Sequence, residues 1–453
     1  MSMATKIRGS HAVSPALVTQ WQAIYQEEPL RRVIGNAVVK NGIQAVAQNR
    51  QRLTAMTYAF SHEIPTGSIT SQMKSGRCWI FAGLNVIRER MSKRMNLKDL
   101  ELSQAYLMFY DKLEKSNYFL ESILATTDEP TDGRLVSWLL MAPLQDGGQW
   151  DMFVNLVEKY GIVPKWVMPE SFHSSDSAMM NRLMTVKLRE DAARLREHAA
   201  RGAAEDELLA EKDAMLQEIY IMLCHFLGEP PTTFTLEYQD DDRSYHVDRG
   251  MTPLEFWSRY SDVRLDDFVS VINAPTPDKP FDKSYTVDYL GNVVGGRRVL
   301  YLNLPIEEFK TLARQQIMDG RPVWFGCDVG KMSDRTSGLL DTEQFDYATA
   351  LGVTFGLSKG ERLMYGESQM NHAMVLTGVN LDADGQPDRW KVENSWGPDA
   401  GSQGFFVMSD AWFDQFMYQI VVDKLYLSEA QRQLLSEEPL HLPPWDPMGS
   451  LAH

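Results

Sequence analysis

Up to about residue 230 the apolar positions recur at helical spacing. SPALVTQWQAIYQ opens with Ser14 where a cap belongs and Pro15 at the first helical position. NGIQAVAQNRQRL continues that amphipathic pattern, so residues 14–60 are expected to be helical. From Ile64 to Ser75 the chain turns to loop residues, IPTGSITSQMKS, and a strong helix is expected from near Arg77, CWIFAGLNVIRERM. SQAYLMFYDKLEKSNYFLESIL and WDMFVNLVEKYG predict two more helices, the second ended by Gly161 with Pro164 beyond. Residues 181–228, rich in Ala, Glu, Leu, Lys and Arg, predict a helical hairpin broken at Gly202 with a solvated charged face.

The carboxy-terminal third alternates with a strand period instead. HAMVLTGVN, RWKVENSW and GFFVMSD read as three strands, the first two joined by LDADGQPD with its Asp-Gly turn signal. Helices first and antiparallel strands later predict an α+β protein with two facing lobes. The last stretch, EEPLHLPPWDPMGSLAH, carries four prolines and is expected to be a stiff, extended tail.

Composition narrows the class without changing this outline. At 453 residues, with 44% hydrophobic and 23% charged side chains, the chain has an ordinary globular balance and room for two or three domains. Its 61 acidic and 45 basic residues leave a formal charge of −16, which disfavours nucleic-acid binding outside a segregated basic groove. Three cysteines, Cys78, Cys224 and Cys327, form neither a disulfide framework nor a metal knuckle and suit a reducing compartment. The amino terminus shows no secretory signal, and no run is apolar enough to span a membrane, so a cytoplasmic address is expected.

Candidate chemistry begins at Gln72-Met73-Lys74-Ser75-Gly76-Arg77-Cys78-Trp79. A cysteine at a helix start has unpaired backbone N–H groups beside it, and these favour a thiolate and can face an oxyanion. An inert buried cysteine has the same local pattern, so position alone does not decide. Of nine histidines, His11, His62, His173, His198, His225, His246, His441 and His453 lie in polar loops, helix faces or termini. None has a metal spacing, so neither a metal nor another cofactor is expected. His372 differs by opening an apolar strand. If LDADGQPD closes a hairpin, paired residues have numbers adding to roughly 769, and His372 comes to face Asn394–Gly397. Asn394 then suits the role of holding one imidazole nitrogen while the other looks at the thiol.

Gln72 six residues before Cys78, the Ser-Gly-Arg-Cys-Trp run, Asn371-His372-Ala373 and Asn394-Ser395-Trp396-Gly397 resemble papain-type cysteine peptidases in order and flanks. Two departures point within that group. Ser75 stands where secreted members have the first cysteine of Cys-Gly-Ser-Cys-Trp, with Arg77 before the nucleophile, and the Cys78–His372 separation exceeds the roughly 130–150 residues of those members. Both match the bleomycin hydrolase and aminopeptidase C branch, as do Gly326-Cys327-Asp328-Val329-Gly330-Lys331 and the Pro444–Ala452 end.

The resemblance implies a papain-like two-lobed core with large helical insertions. On that basis residues 1–65 form a helical extension, 66–180 the helical lobe, 181–290 a mostly helical insertion, 291–427 the β lobe and 428–453 an arm entering the cleft. It implies Cys78 as nucleophile, His372 as base, Asn394 as orienter with Trp396 shielding it, and Gln72 as an oxyanion donor. Gly147 and Gly148 would lie along the substrate backbone, with Trp79, Asn371 and Ala452 also at the substrate. The expected activity is release of amino-terminal residues from peptides, with hydrolysis of bleomycin-like amides. The arm would anchor the substrate's α-amino group, after removal of His453 by the protein's own site and exposure of the Ala452 carboxylate. A homohexamer is implied as well. An endopeptidase, an acyl-transferase or a catalytically silent peptide-binding protein are the alternatives.

Overall fold

The structure, a computed structural model, describes residues 12–452. The expectations for His11, His453 and the extreme amino terminus lie outside the described residues. Two compact units divide the chain, one containing residues 12–55 and 342–356, the other residues 56–341 and 357–452.

The first unit is helical, as expected for its early part, in segments Pro15–Glu27, Pro29–Asn41, Ile43–Ala47 and Arg50–Ala55. Ser14 caps the first by accepting from the Leu17 N–H at 3.3 Å, with Pro15 at the first position. Residues 342–356, remote in sequence, join this unit through Asn49 N–H to the Gln344 carbonyl and Asp346 N–H to the Ala47 carbonyl, both at 2.8 Å.

The second unit holds the rest. Its helices are Cys78–Arg94, Gln104–Leu124, Arg134–Met141, Trp150–Tyr160, the hairpin Ala178–Ala200 and Glu205–Leu227, Pro253–Tyr260 and Ile306–Met318, besides shorter turns. Local chemistry sets several ends. Ser103 accepts from the Tyr106 N–H at 3.1 Å to start one helix, and Gly161, at φ 71°, ends another. The predicted hairpin breaks at Gly202 and buries Met184, Leu188, Met215 and Ile219 in a cluster shared with Trp79 and Trp150.

A twelve-strand sheet forms the other layer. Across it run Leu440–Leu442, Lys283–Val287, Tyr301–Asn303, Phe268–Ile272, Met417–Asp423, Val323–Cys327, His372–Leu381, Pro387–Glu393 and Phe405–Ser409, with shorter strands at the far edge. The three predicted strands are present, and Val379 lies opposite Trp390 as the expected register requires. His62–Glu63 adds to the same strand at Val379 and Gly378. Within residues 181–290, Phe234–Gln239 pairs with Tyr245–Met251, while Phe268–Ile272 and Lys283–Val287 belong to the large sheet. Helix Cys78–Arg94 is tied to the sheet by a buried ion pair, Arg88 to Glu393 at 2.9 Å, with the Asn85 amide donating to the same carboxylate oxygen at 2.9 Å.

The tail departs from the extended form expected. After pairing at Leu440–Leu442 it coils into a 3-10 turn over Pro447–Ala452 that buries Met448, Gly449, Leu451 and Ala452. Asp446 causes this: its carboxylate accepts from the Met448 N–H at 2.8 Å and its carbonyl from the Gly449 N–H at 3.0 Å. The other carboxylate oxygen meets Lys279 at 2.7 Å in a buried pair. Among the described residues no helix is long and apolar enough to cross a membrane.

Candidate active site

Cys78 is the first residue of its helix and is 4% exposed. Arg77 precedes it without a side-chain cap, so the first helical N–H groups keep the freedom that a helix start provides. Burial pushes the Cys78 thiol up to about 11, partly opposed by the Ala373 backbone N–H, which places the sulfur beside the residue following His372. Burial thus favours the protonated thiol over the thiolate in the resting site.

His372 opens its strand opposite Cys327 and is 4% exposed. Its Nε2 lies 2.9 Å from Asn394 Oδ1, which also accepts from the Ser395 N–H at 2.8 Å. A backbone N–H can only donate, so the Asn394 atom facing the imidazole is oxygen and Nε2 must carry the hydrogen. Nδ1 keeps a lone pair. Burial lowers the ring to about 4, the Asn394 bond opposing this, so the ring is neutral near pH 7. Trp396 packs on the imidazole with centroids 4.8 Å apart.

Gln72 reaches the same place through its loop. Its N–H donates to the Ser395 carbonyl at 2.8 Å, and the Gly397 N–H donates to the Thr70 carbonyl at 3.1 Å, so the loop is laced to the segment after Asn394. Met73 adopts a left-handed backbone, φ 52°, to make the turn. The Gln72 amide donates one hydrogen to the Ser75 carbonyl at 2.7 Å and keeps a second.

Gly147 and Gly148 have different reasons to be glycine. A Cβ on Gly147 would lie 2.1 Å from the Leu451 carbonyl oxygen, so the tail's backbone runs directly over it. A Cβ on Gly148 would lie 2.5 Å from the Trp79 indole. Trp79 itself is wholly enclosed and donates through Nε1 to the Asp146 carbonyl at 2.7 Å, so it supports the glycine edge from behind. Ala452 is buried at the end of the docked tail. Asn371 donates to Asp328 at 2.6 Å and accepts from the Val329 N–H at 3.0 Å, which commits its amide to its own neighbourhood. Cys327 is fully buried, whereas Cys224 is half-buried.

Sequence reasoning missed Asp146 as a keystone. Its carboxylate accepts from the Gly76 N–H at 2.9 Å, Lys112 at 2.6 Å, Asn181 at 2.7 Å and Ser177. Burial raises its affinity for a proton, but Lys112 and these donors hold it well below the usual carboxylate range. The loop before Cys78 and the glycine edge are thus fastened to one anion. Nothing in the sequence signals this, because the partners come from three segments far apart in the chain, the loop before Cys78, helix Gln104–Leu124 and the start of helix Ala178–Ala200.

The family model described as the Peptidase C1-like family matches residues 12–449. Aminopeptidase C from Listeria innocua is 49% identical over 428 residues, spanning 94% of this chain and 96% of that protein. Bleomycin hydrolase from Gallus gallus is 42% identical over 453 residues, spanning 98% and 99%. Among solved structures, PepW from Lactobacillus rhamnosis HN001 matches with a TM-score of 0.96 and 50% identity, covering 97% of this chain and 99% of its own.

Proposed function

This chain belongs to the Peptidase C1-like family, with its α+β papain-like fold, and we propose that Cys78, His372, Asn394 and Gln72 form its catalytic site. The chain is a cysteine-type aminopeptidase. His372 Nδ1 takes the thiol proton, and the thiolate attacks the carbonyl carbon of the first peptide bond. The Gln72 amide and the Cys78 backbone N–H hold the oxyanion, where such a donor is typically worth ~10²–10³ in rate. Collapse breaks the C–N bond, and the imidazolium gives its proton to the leaving amine. Water, activated by the neutral imidazole, hydrolyses the thioester and regenerates the thiol.

One observation carries the restriction to amino ends: the buried turn Pro447–Ala452, with Leu451 seated over Gly147. On this reading that edge is where a longer substrate would continue, so the seated tail obstructs it. A carboxylate at the tail's end attracts a free α-amino group and rejects a blocked one. Removal of His453 would place it on Ala452. Peptides with a free amino terminus are the substrates, and bleomycin-like amides are a further class. A homohexamer in the cytoplasm belongs to the same reading, supported by the family alone.

The deciding experiment compares a fluorogenic aminoacyl amide with its N-acetylated twin, using Cys78→Ala as blank. Cleavage of the free amine alone is expected. Cleavage of both would make the protein an endopeptidase, and turnover by the blank would remove Cys78 as nucleophile.

A further inference from the structure

Ser75 and Arg77, the two residues that depart from the secreted pattern, are not idle substitutions. Arg77 is 1% exposed, and its guanidinium makes a fork onto Glu170, Nη1 to Oε1 at 3.3 Å and Nη2 to Oε2 at 2.9 Å. Its third nitrogen, Nε, donates to the Ser75 hydroxyl at 2.8 Å. That hydroxyl donates to the backbone carbonyl of Gln72 at 2.7 Å, and the Gln72 side-chain amide donates to the backbone carbonyl of Ser75 at 2.7 Å. The anion is itself fixed: Lys165 donates to Glu170 at 2.8 Å, and Ser174 donates to its other oxygen. Burial alone would raise the Glu170 carboxyl, but Arg77 and Lys165 bring it down to about 2, so the fork stays ionised at any working pH. The guanidinium also lies over Phe81, 5.1 Å from its centroid, which covers one of its faces.

We propose that Arg77 is a positioning residue for the Gln72 amide, acting through Ser75 and held by Glu170. This rests on the reading of Gln72 as the oxyanion donor. The relay is geometric. A planar fork on a fixed carboxylate allows one orientation of Nε–H, which sets the hydroxyl, and the hydroxyl completes a reciprocal pair that leaves the second amide hydrogen of Gln72 aimed in one direction. Lysine at 77 would keep the charge and lose both the fork and the directed Nε–H. The ion pair therefore links residues 72–77 to Glu170 in a chain without a disulfide there.

The test measures three quantities on Arg77→Lys, Ser75→Ala and Gln72→Ala: kcat and KM for an aminoacyl amide, affinity for the matching amino aldehyde, and the rate of Cys78 alkylation by iodoacetamide at pH 7. The aldehyde forms a hemithioacetal that needs the oxyanion donors, whereas alkylation builds no oxyanion. Arg77→Lys and Ser75→Ala are expected to lower kcat and aldehyde affinity together by about 10–10²-fold, a part of the loss from deleting a donor. KM and alkylation should stay within about twofold of the parent. Ser75→Ala leaves the buried ion pair intact and decides the matter where Arg77→Lys fails to fold. If Gln72→Ala lowers kcat while both other variants match the parent, the positioning role is wrong and the Gln72 assignment stands. A loss of alkylation equal to the loss of kcat would overturn it too, as general disruption. If Gln72→Ala itself turns over normally, the oxyanion assignment falls, and the relay with it.

Discussion

Asn394 Oδ1 accepts hydrogen bonds from both His372 Nε2, at 2.9 Å, and the Ser395 N–H, at 2.8 Å. The second bond makes the first informative, because it locks the amide's orientation and with it the imidazole tautomer. Asn394→Ala is therefore expected to lower kcat by roughly 10²-fold, within the usual range for impaired general acid–base catalysis, with little change in KM. Steady-state kinetics on an aminoacyl amide checks this. A change in KM alone would mean that Asn394 binds substrate instead of orienting the base.

Burial of His372 has a signature in stability. The folded ring protonates only at about 4, against 6.5 for an unperturbed histidine. As pH falls between those values the unfolded chain binds a proton that the folded one refuses, so stability must drop in that window, by at most about 3 kcal/mol. Urea unfolding at pH 7, 5.5 and 4.5 should show a flatter profile for His372→Gln than for the parent. Parallel profiles would show that the imidazole remains hydrated in the folded chain.

Gly147→Ala puts a methyl carbon where the Leu451 carbonyl oxygen is, a separation of 2.1 Å between backbone and Cβ that no rotamer relieves. The tail must lift. Activity on the free aminoacyl amide should fall by about tenfold or more, since close backbone approach at this edge depends on the missing Cβ. The ratio of N-acetylated to free-amine hydrolysis should rise. A tail that stays in place, seen as an unchanged ratio, would contradict the seating described.

Lys279 and Asp446 lie 2.7 Å apart and are both nearly enclosed. Lys279→Met leaves the carboxylate buried without its partner, a change that typically costs about 3–5 kcal/mol. Because Asp446 also shapes the turn, that cost should fall on tail docking. Limited proteolysis after residue 442 should accelerate relative to the parent. Intact tails after equal digestion would place the anchoring elsewhere.

Much of the site is legible in sequence because each element of it is local. The Asp-Gly turn between strands sets a register that carries His372 toward Asn394, and a one-residue shift between Leu376 and Gly378 leaves that meeting intact. Cys78 heads a helix whose apolar spacing is unbroken. What stays hidden depends on remote partners. FVSVI and KSYTV are short runs buried almost throughout, so they show no alternation from which a strand could be told apart. Residues 342–356 join the first unit through backbone bonds and an Arg52–Glu343 ion pair whose partners lie nearly three hundred residues apart, so no local pattern announces the join. The tail's coil arises from Asp446, a residue that reads as an ordinary break between Trp445 and Pro447.

The tail's covalent attachment gives its seat over Gly147 a kinetic meaning. A segment tethered a few residues away competes at a fixed local concentration, on the order of millimolar for short linkers, however dilute the protein becomes. A peptide reaching across that edge must outcompete it at every encounter, whereas a substrate that stops short meets no rival. On the proposed reading, discrimination against internal bonds should therefore be independent of enzyme concentration.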